Sequence, residues 1–264
     1  MWRTPEELVA IGFSRSRVVM MNELHDGLLR CPYTREVGRQ ILPSAHQAGV
    51  RYLAMEALNP QFAEEGNRTR HVPEANESYL AQPEMRALIQ AALALDWMLI
   101  PYEADMSQVP LELASKGNLS QEVTNWREEV QARNILLAFQ TLPSDAKLLV
   151  WCGNSHHVKE IRHDEQVMIR CDGKWVLASK PFDEPDWVPM RYEFKQMSDI
   201  DPFTIHQRLF DSPSQLQSLV APQLEASGGT AGFLKEELPH AFPSRFVDII
   251  GADAFVFSTK YLWE

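Results

Sequence analysis

The sequence predicts an α/β protein: a three-layer α/β/α fold with a mainly parallel central sheet and a C-terminal β-hairpin and helical extension. Three observations predict it. Short apolar runs alternate with longer segments whose apolar residues recur three to four apart, the rhythm of βαβ units. The short runs are continuously apolar, as expected of strands that helices bury on both faces. The rhythm changes after residue 160, where two short strand-like runs flank Asp172 and Gly173, a strong hairpin pair.

Each element has its own reason. Residues 17–21 (RVVMM) are apolar and partly β-branched, and read as the first strand. Residues 33–49 read as a helix ending at Gly49, kinked or split at Pro43. Residues 50–58 (VRYLAMEAL) form the second strand. Residues 83–97 are a helix that starts at Pro83, a residue suited to the first turn. Residues 98–105 (MLIPYEAD) make the third strand. Residues 120–142 are the best helix in the chain, with Ser120 as its N-cap. Trp126, Val130 and Leu137 fall on its predicted apolar stripe. Residues 146–154 (AKLLVWCGN) make the fourth strand. Beyond the 165–180 hairpin, 190–197 is expected to be a strand. Residues 202–220 read as helical with a break at Pro213, 226–232 as a flexible loop, and 245–260 as a helix-like piece followed by a strand. The organisation expected is a single domain over 1–264, with a join near 160.

Composition narrows the function. The 264 residues are 45% hydrophobic, enough for one sizeable core. Acidic residues outnumber basic ones 36 to 25, for a net charge of -11, and no basic cluster is present, so nucleic acid is not an expected partner. No run of 18 apolar residues suggests a membrane span. Three cysteines and the absence of an apolar leader fit a cytoplasmic protein. A small-molecule substrate is the expected partner, and the oligomeric state stays open. The motifs of P-loop, dinucleotide-binding, nucleophile-elbow and zincin proteins are absent.

Each early strand ends in ionisable residues. The first ends in Glu23 and His25, the second carries Glu56, and the third ends in Tyr102, Glu103 and Asp105. The fourth runs into Gly153, Asn154, Ser155, His156 and His157. In a parallel sheet all carboxyl ends lie on one edge, where ligands bind. Carboxylates beside imidazoles suit general acid and base work, and the same types suit a divalent metal. Glu56 sits inside an apolar run, where a lone acid is costly, so it needs a partner. Of His156 and His157, one is expected in the site and one in solvent. His46, His71, His163, His206 and His240 read as surface or satisfied core histidines, and Cys152 as a small core filler. Arg127 and Asn134, seven apart, share a helix face. On spacing alone that face reads as solvated. Turned toward the strand tips, Arg127 would bind a substrate anion or orient a carboxylate.

These residues together resemble the erythromycin esterase and ChaN-like superfamily, whose broader relatives include TraB and Tiki-type proteins. NELHD (22–26) resembles the family's G-E-x-H, and Glu56 its buried second-strand acid. REEVQARN (127–134) resembles its R-E-x-x-M-A-x-N, GNSH (153–156) its G-N-G-H, and ADAFVFS (252–258) its last strand. Asn22, Gln131 and Ser155 depart from the usual Gly, Met and Gly. The esterase branch implies hydrolysis of a cyclic ester by a histidine base that activates water. The Tiki-type branch implies metal-dependent peptide cleavage. The ChaN-like branch implies haem binding, although no lipobox is present. The expectation is a hydrolase of an ester, lactone or amide. His25 is its general base, held by Glu23 or Glu56, and His156 binds or protonates the leaving group. Glu103, Arg127, Asn134, His157 and Tyr102 are expected to contact substrate. The alternative is a haem- or metal-binding protein without catalysis, with Glu23, His25, Glu56 and His156 as candidate metal ligands.

Overall fold

A computed structural model describes residues 1–24, 31–75, 79–117, 120–153, 156–161, 166–171, 174–179, 185–209, 215–238 and 251–258. His25, Asp26, Asn154, Ser155, His163, His240 and the helix-like piece expected at 245–250 lie outside the described residues. The strands are β1 (Val18–Glu23), β2 (Tyr52–Met55), β3 (Met98–Pro101), β4 (Leu148–Gly153), β5 (Gln166–Cys171), β6 (Lys174–Ser179), β7 (Phe203–Leu209), β8 (Thr230–Leu234) and β9 (Ala254–Ser258). The helices are α1 (Pro5–Arg15), α2 (Cys31–Gln47), α3 (Pro60–Thr69), α4 (Pro83–Ala94), α5 (Leu111–Ala114), α6 (Gln121–Gln140), α7 (Met190–Met197) and α8 (Gln215–Ala226).

Seven strands form one sheet in the order β3-β2-β4-β1-β7-β9-β8. Only the β8–β9 pair is antiparallel. β5 and β6 pair as the expected antiparallel hairpin outside it. Alternate strand residues supply the two cores. On one face Val19, Met21, Leu53, Met55 and Leu149 pack against Leu8, Ile41, Phe62 and Leu88 from α1 to α4. On the other, Val18, Met20, Ala54, Leu148 and Val150 meet Ile135 and Phe139 of α6 and Phe194 of α7. Further along that face, Val220 and Leu224 of α8 cover Phe255 and Phe257. Helices thus cover both faces, and the α/β/α class follows directly.

Several local expectations are corrected. The 190–197 segment is the helix α7, because Met190, Arg191 and Phe194 bury at helical spacing. Residues 203–209 are strand β7, not helix. Phe203 and Ile205 face the first core, and the alternation with Thr204 and His206 has period two. Residues 230–232, the end of the 226–232 segment expected as loop, open β8 (Thr230–Leu234) after a turn through Gly228 and Gly229, both at positive φ. α2 runs unbroken through Pro43. Pro43 and Arg39, whose carbonyl loses its usual partner, both lie on the exposed side of the helix, where the helix tolerates the missing bond. α6 does not bury the Trp126, Val130 and Leu137 stripe. Leu137 is 56% exposed, and the buried face carries Val123, Glu128, Gln131, Ala132, Ile135 and Phe139.

Both sheet edges are covered. The Asn67 side chain accepts the Leu99 N–H (2.7 Å) and donates to the Leu99 carbonyl (2.9 Å), so β3 has no bare edge there. At the other edge, Arg3 bridges to Gly232 of β8.

Candidate functional site

Register sets the site's level. Glu23 pairs with Gly153, and Met55 pairs with both Trp151 and Pro101. The residues that follow, Glu56 and Tyr102, therefore reach the same rim as Glu23 and Gly153. Ala57 adopts φ 65, a left-handed conformation that turns the chain sharply just past Glu56. Trp151 joins the tips. Its carbonyl accepts from the Glu56 N–H (3.1 Å) and the Tyr102 hydroxyl (3.0 Å), and its indole N–H donates to Glu23 (2.9 Å).

The sheet divides the rim into two polar clusters. Toward α2 lies Glu23, fully buried. Arg35 clamps it with Nε and Nη2 at 2.9 and 3.2 Å, and the Tyr79 hydroxyl donates a short hydrogen bond to it. Arg35 also donates to Gln82 and stands 4.9 Å over the Tyr79 ring. Burial, then the Glu23 charge, pushes the Tyr79 phenol well above its ordinary range, so Tyr79 stays a proton donor.

Toward α6 lies the second cluster. Arg127 donates to Glu56 (2.7 Å) and grips Glu103 through Nε and Nη2 at 2.8 and 2.7 Å. Gln131 donates to Glu103 (2.8 Å), and Asn134 donates to the Tyr102 and Glu103 carbonyls. The Gly153 N–H donates to Glu56 at 2.7 Å. His156 stands between two acids, with Nε2 3.3 Å from Glu56 and Nδ1 2.8 Å from Glu128. Burial alone would lower its pKa, but the two carboxylates outweigh burial and raise it well above an ordinary imidazole. A carboxylate at each ring nitrogen thus favours the doubly protonated, cationic form of His156. The opening to solvent lies at Arg127 and Glu103, whose side chains are 28% and 26% exposed.

His157 is not the solvent-facing member expected of the pair. It is fully buried, and its Nε2 lies 3.0 Å from Nδ1 of His206. Burial first, then the charges of His156 and Arg191, lower its pKa to about 3. Their surroundings thus shift two consecutive histidines in opposite directions, His156 toward the cation and His157 toward the neutral form. Among the sequence-expected residues, Glu56, Glu103, Arg127, Asn134, Tyr102 and His156 come together directly, and Glu23 shares their rim across Trp151. His25 lies outside the described residues. Arg35, Tyr79, Trp151, Glu128 and Gln131 were missed. Arg35 could have been found, because it sits in register with Gly38, Leu42 and Ala45 on the buried side of α2. Glu128 and Gln131 share the buried side of α6 with Ile135 in the same way.

Among the described residues, the side chains between Glu56 and His156 are already paired with one another. Both His156 nitrogens face carboxylates, and Arg127 places a cation on Glu56 and Glu103. Among the described residues, no group of three or more His, Cys, Asp or Glu side chains forms a metal-holding cluster. Among the described residues, the Tyr79 and Tyr102 hydroxyls are engaged, and His157 is buried against His206.

Sheet order, helix layers and rim together define an α/β/α fold with a polar site at the carboxyl ends of its strands. Comparison with known proteins gives that fold its relatives. No family model matches the chain, and no curated protein sequence does. Among solved structures, the chain is similar to a mutant of the erythromycin esterase EreC in its open conformation. The TM-score is 0.53 at 12% identity, covering 97% of each chain. It is likewise similar to ChaN of Campylobacter jejuni, a structure of cofacial haem binding. There the TM-score is 0.52 at 9% identity, covering 96% of this chain and 91% of that one. A MARTX toxin effector domain, RRSP from Vibrio vulnificus, matches at TM-score 0.42 and 14% identity over 59% of this chain. The match takes in 31% of the toxin domain, so this chain spans about a third of its length. The chain has the fold of EreC and ChaN. Among the described residues, no helix is long and apolar enough to cross a membrane.

Proposed function

We propose that the protein hydrolyses an ester, lactone or amide bond in a small molecule at the carboxyl-terminal rim of its sheet. The observation that carries this reading is the meeting of Glu56, Glu103, Arg127 and His156 on one partly open rim. In the reaction, water adds its oxygen to the acyl carbon and gives its proton to His25. The bond to the leaving group then breaks, and the leaving atom takes a proton from His156 Nε2. Arg127 and Glu103 line the entrance and bind the polar part of the substrate. Tyr102 and Asn134 hold the Glu103 loop in place. His157 supports His156 from within and does not itself touch substrate. Glu23, saturated by Arg35, Tyr79 and Trp151, acts as the fixed floor of the site.

The test is turnover of a panel of p-nitrophenyl esters, lactones and acyl amides by the wild-type chain and by His25→Ala. The expected result is wild-type hydrolysis that His25→Ala lowers by roughly 100-fold or more with the fold retained. Equal rates would remove the base assignment. A chain that hydrolyses nothing but gives a saturable Soret change with added haem would place it with the binding behaviour described for ChaN.

A further inference from the structure

Glu128 takes no part in the chemistry above, yet it is among the most buried acids of the rim, at 2% exposure. It follows Arg127 in α6 but points inward. One of its oxygens accepts the Met190 N–H at 2.6 Å, at the start of α7. Both oxygens lie 2.8 Å from Nδ1 of His156. The Arg191 N–H donates to the His156 carbonyl at 2.9 Å, so backbone and ring of His156 are fixed by neighbouring residues. On its far side the ring is held less closely. Nε2 is 3.3 Å from Glu56, whose oxygens also serve Arg127 and Gly153. The charged groups around the ring are therefore Glu128 and Arg127 from α6, Glu56 from the tip of β2, and Arg191 from α7.

We infer that Glu128 is a positioning residue that holds the proton on His156 Nδ1 and fixes the plane of the ring, so that the Nε2 proton faces the rim. An imidazole bound tightly through one nitrogen has its tautomer and aim set at the other. The looser contact to Glu56 is the one a leaving group can replace. This assignment rests on the hydrolase reading for its catalytic consequence, but the hold on the ring can be read without turnover.

Glu128→Gln separates the positioning role from simple fastening of α7. Its amide oxygen can still accept the Met190 N–H, but the charge that holds the Nδ1 proton is gone and one of the two oxygens facing Nδ1 becomes an amide NH2. The expected outcome is a folded variant whose kcat falls on the order of 10- to 100-fold with KM little changed, the loss seen when groups that orient an imidazole are removed. In proton NMR, the downfield signal of the His156 Nδ1 proton, present in wild type, disappears. Glu128→Asp recovers part of both, and it carries the same readouts if Glu128→Gln does not fold. Wild-type kcat together with a retained Nδ1 signal in Glu128→Gln would overturn the inference. If the wild-type chain hydrolyses nothing, the hydrolase reading falls by itself. The NMR signal then decides alone: its loss upholds the hold of Glu128 on His156, and its persistence removes it.

Discussion

Single residues in this site are charged or neutral according to what surrounds them, and His156 and His157 show it side by side. His157 is neutral in the fold, with its pKa lowered to about 3, chiefly by burial. An unfolded chain would protonate it at about 6.5. Between those values the unfolded state binds the extra proton, so stability present above pH 6.5 is lost as pH falls, by up to about 1.4 kcal/mol per pH unit. His206, also lowered by burial, adds to the same slope. His156 works in the opposite sense. Its pKa is raised, so its contribution is complete below about pH 6.5 and is lost as pH rises toward the folded value. Urea unfolding of the wild type and of His157→Gln between pH 4 and 7 tests this, and the variant is expected to have the shallower acid-side slope. Glu23 gives a second residue-scale prediction. Glu23→Ala removes the carboxylate that pairs with the buried Arg35, a loss of about 3–5 kcal/mol that the same denaturation measurement reads.

At the scale of elements, the site depends on how closely α2 lies on β4. A Cβ added to Gly38 of α2 would stand 2.5 Å from the Trp151 ring. Gly38→Ala must move either the helix or the indole, and moving the indole breaks its bond to Glu23. The expected result is a stability loss of about 1–3 kcal/mol with a shifted Trp fluorescence maximum. A variant with unchanged stability and spectrum would show that α2 gives way without disturbing Trp151. The elements that carry the rim were legible from the chain. The first four strands, α4 and the Ser120-capped α6 all follow apolar runs with clear punctuation. After 180 the terminal strand β9 was legible as well, but α7, β7 and β8 were misread, because their signals are short. Eight residues of α7 cannot separate period 3.6 from period two by eye. In β7, Thr204, His206 and Gln207 are buried polar positions that hid the strand's apolar face. The α6 stripe was misread for the same reason: a helix that buries Glu128 and Gln131 does not show its inner face as apolar.

Across the whole molecule, parallel pairing brings residues from 23 to 156 to one edge, and that convergence was readable from where each strand stops. What pairs with what was not. Arg127 could have faced solvent, and only the fold turns it to Glu56 and Glu103. Likewise, only the fold separates Glu23 and Glu56 into clusters on opposite faces of one sheet, joined through Trp151. The likeness to EreC and ChaN reaches the architecture, so the chemistry must be tested on this chain's own residues. The most direct test is the rate of ester and lactone hydrolysis by the purified wild-type chain and by Glu56→Gln, with folding of both checked by circular dichroism. The prediction is wild-type turnover that falls by roughly 100-fold or more in the variant, because Glu56 joins Arg127, Gly153 and His156 at the rim. Equal turnover in the two proteins would contradict it.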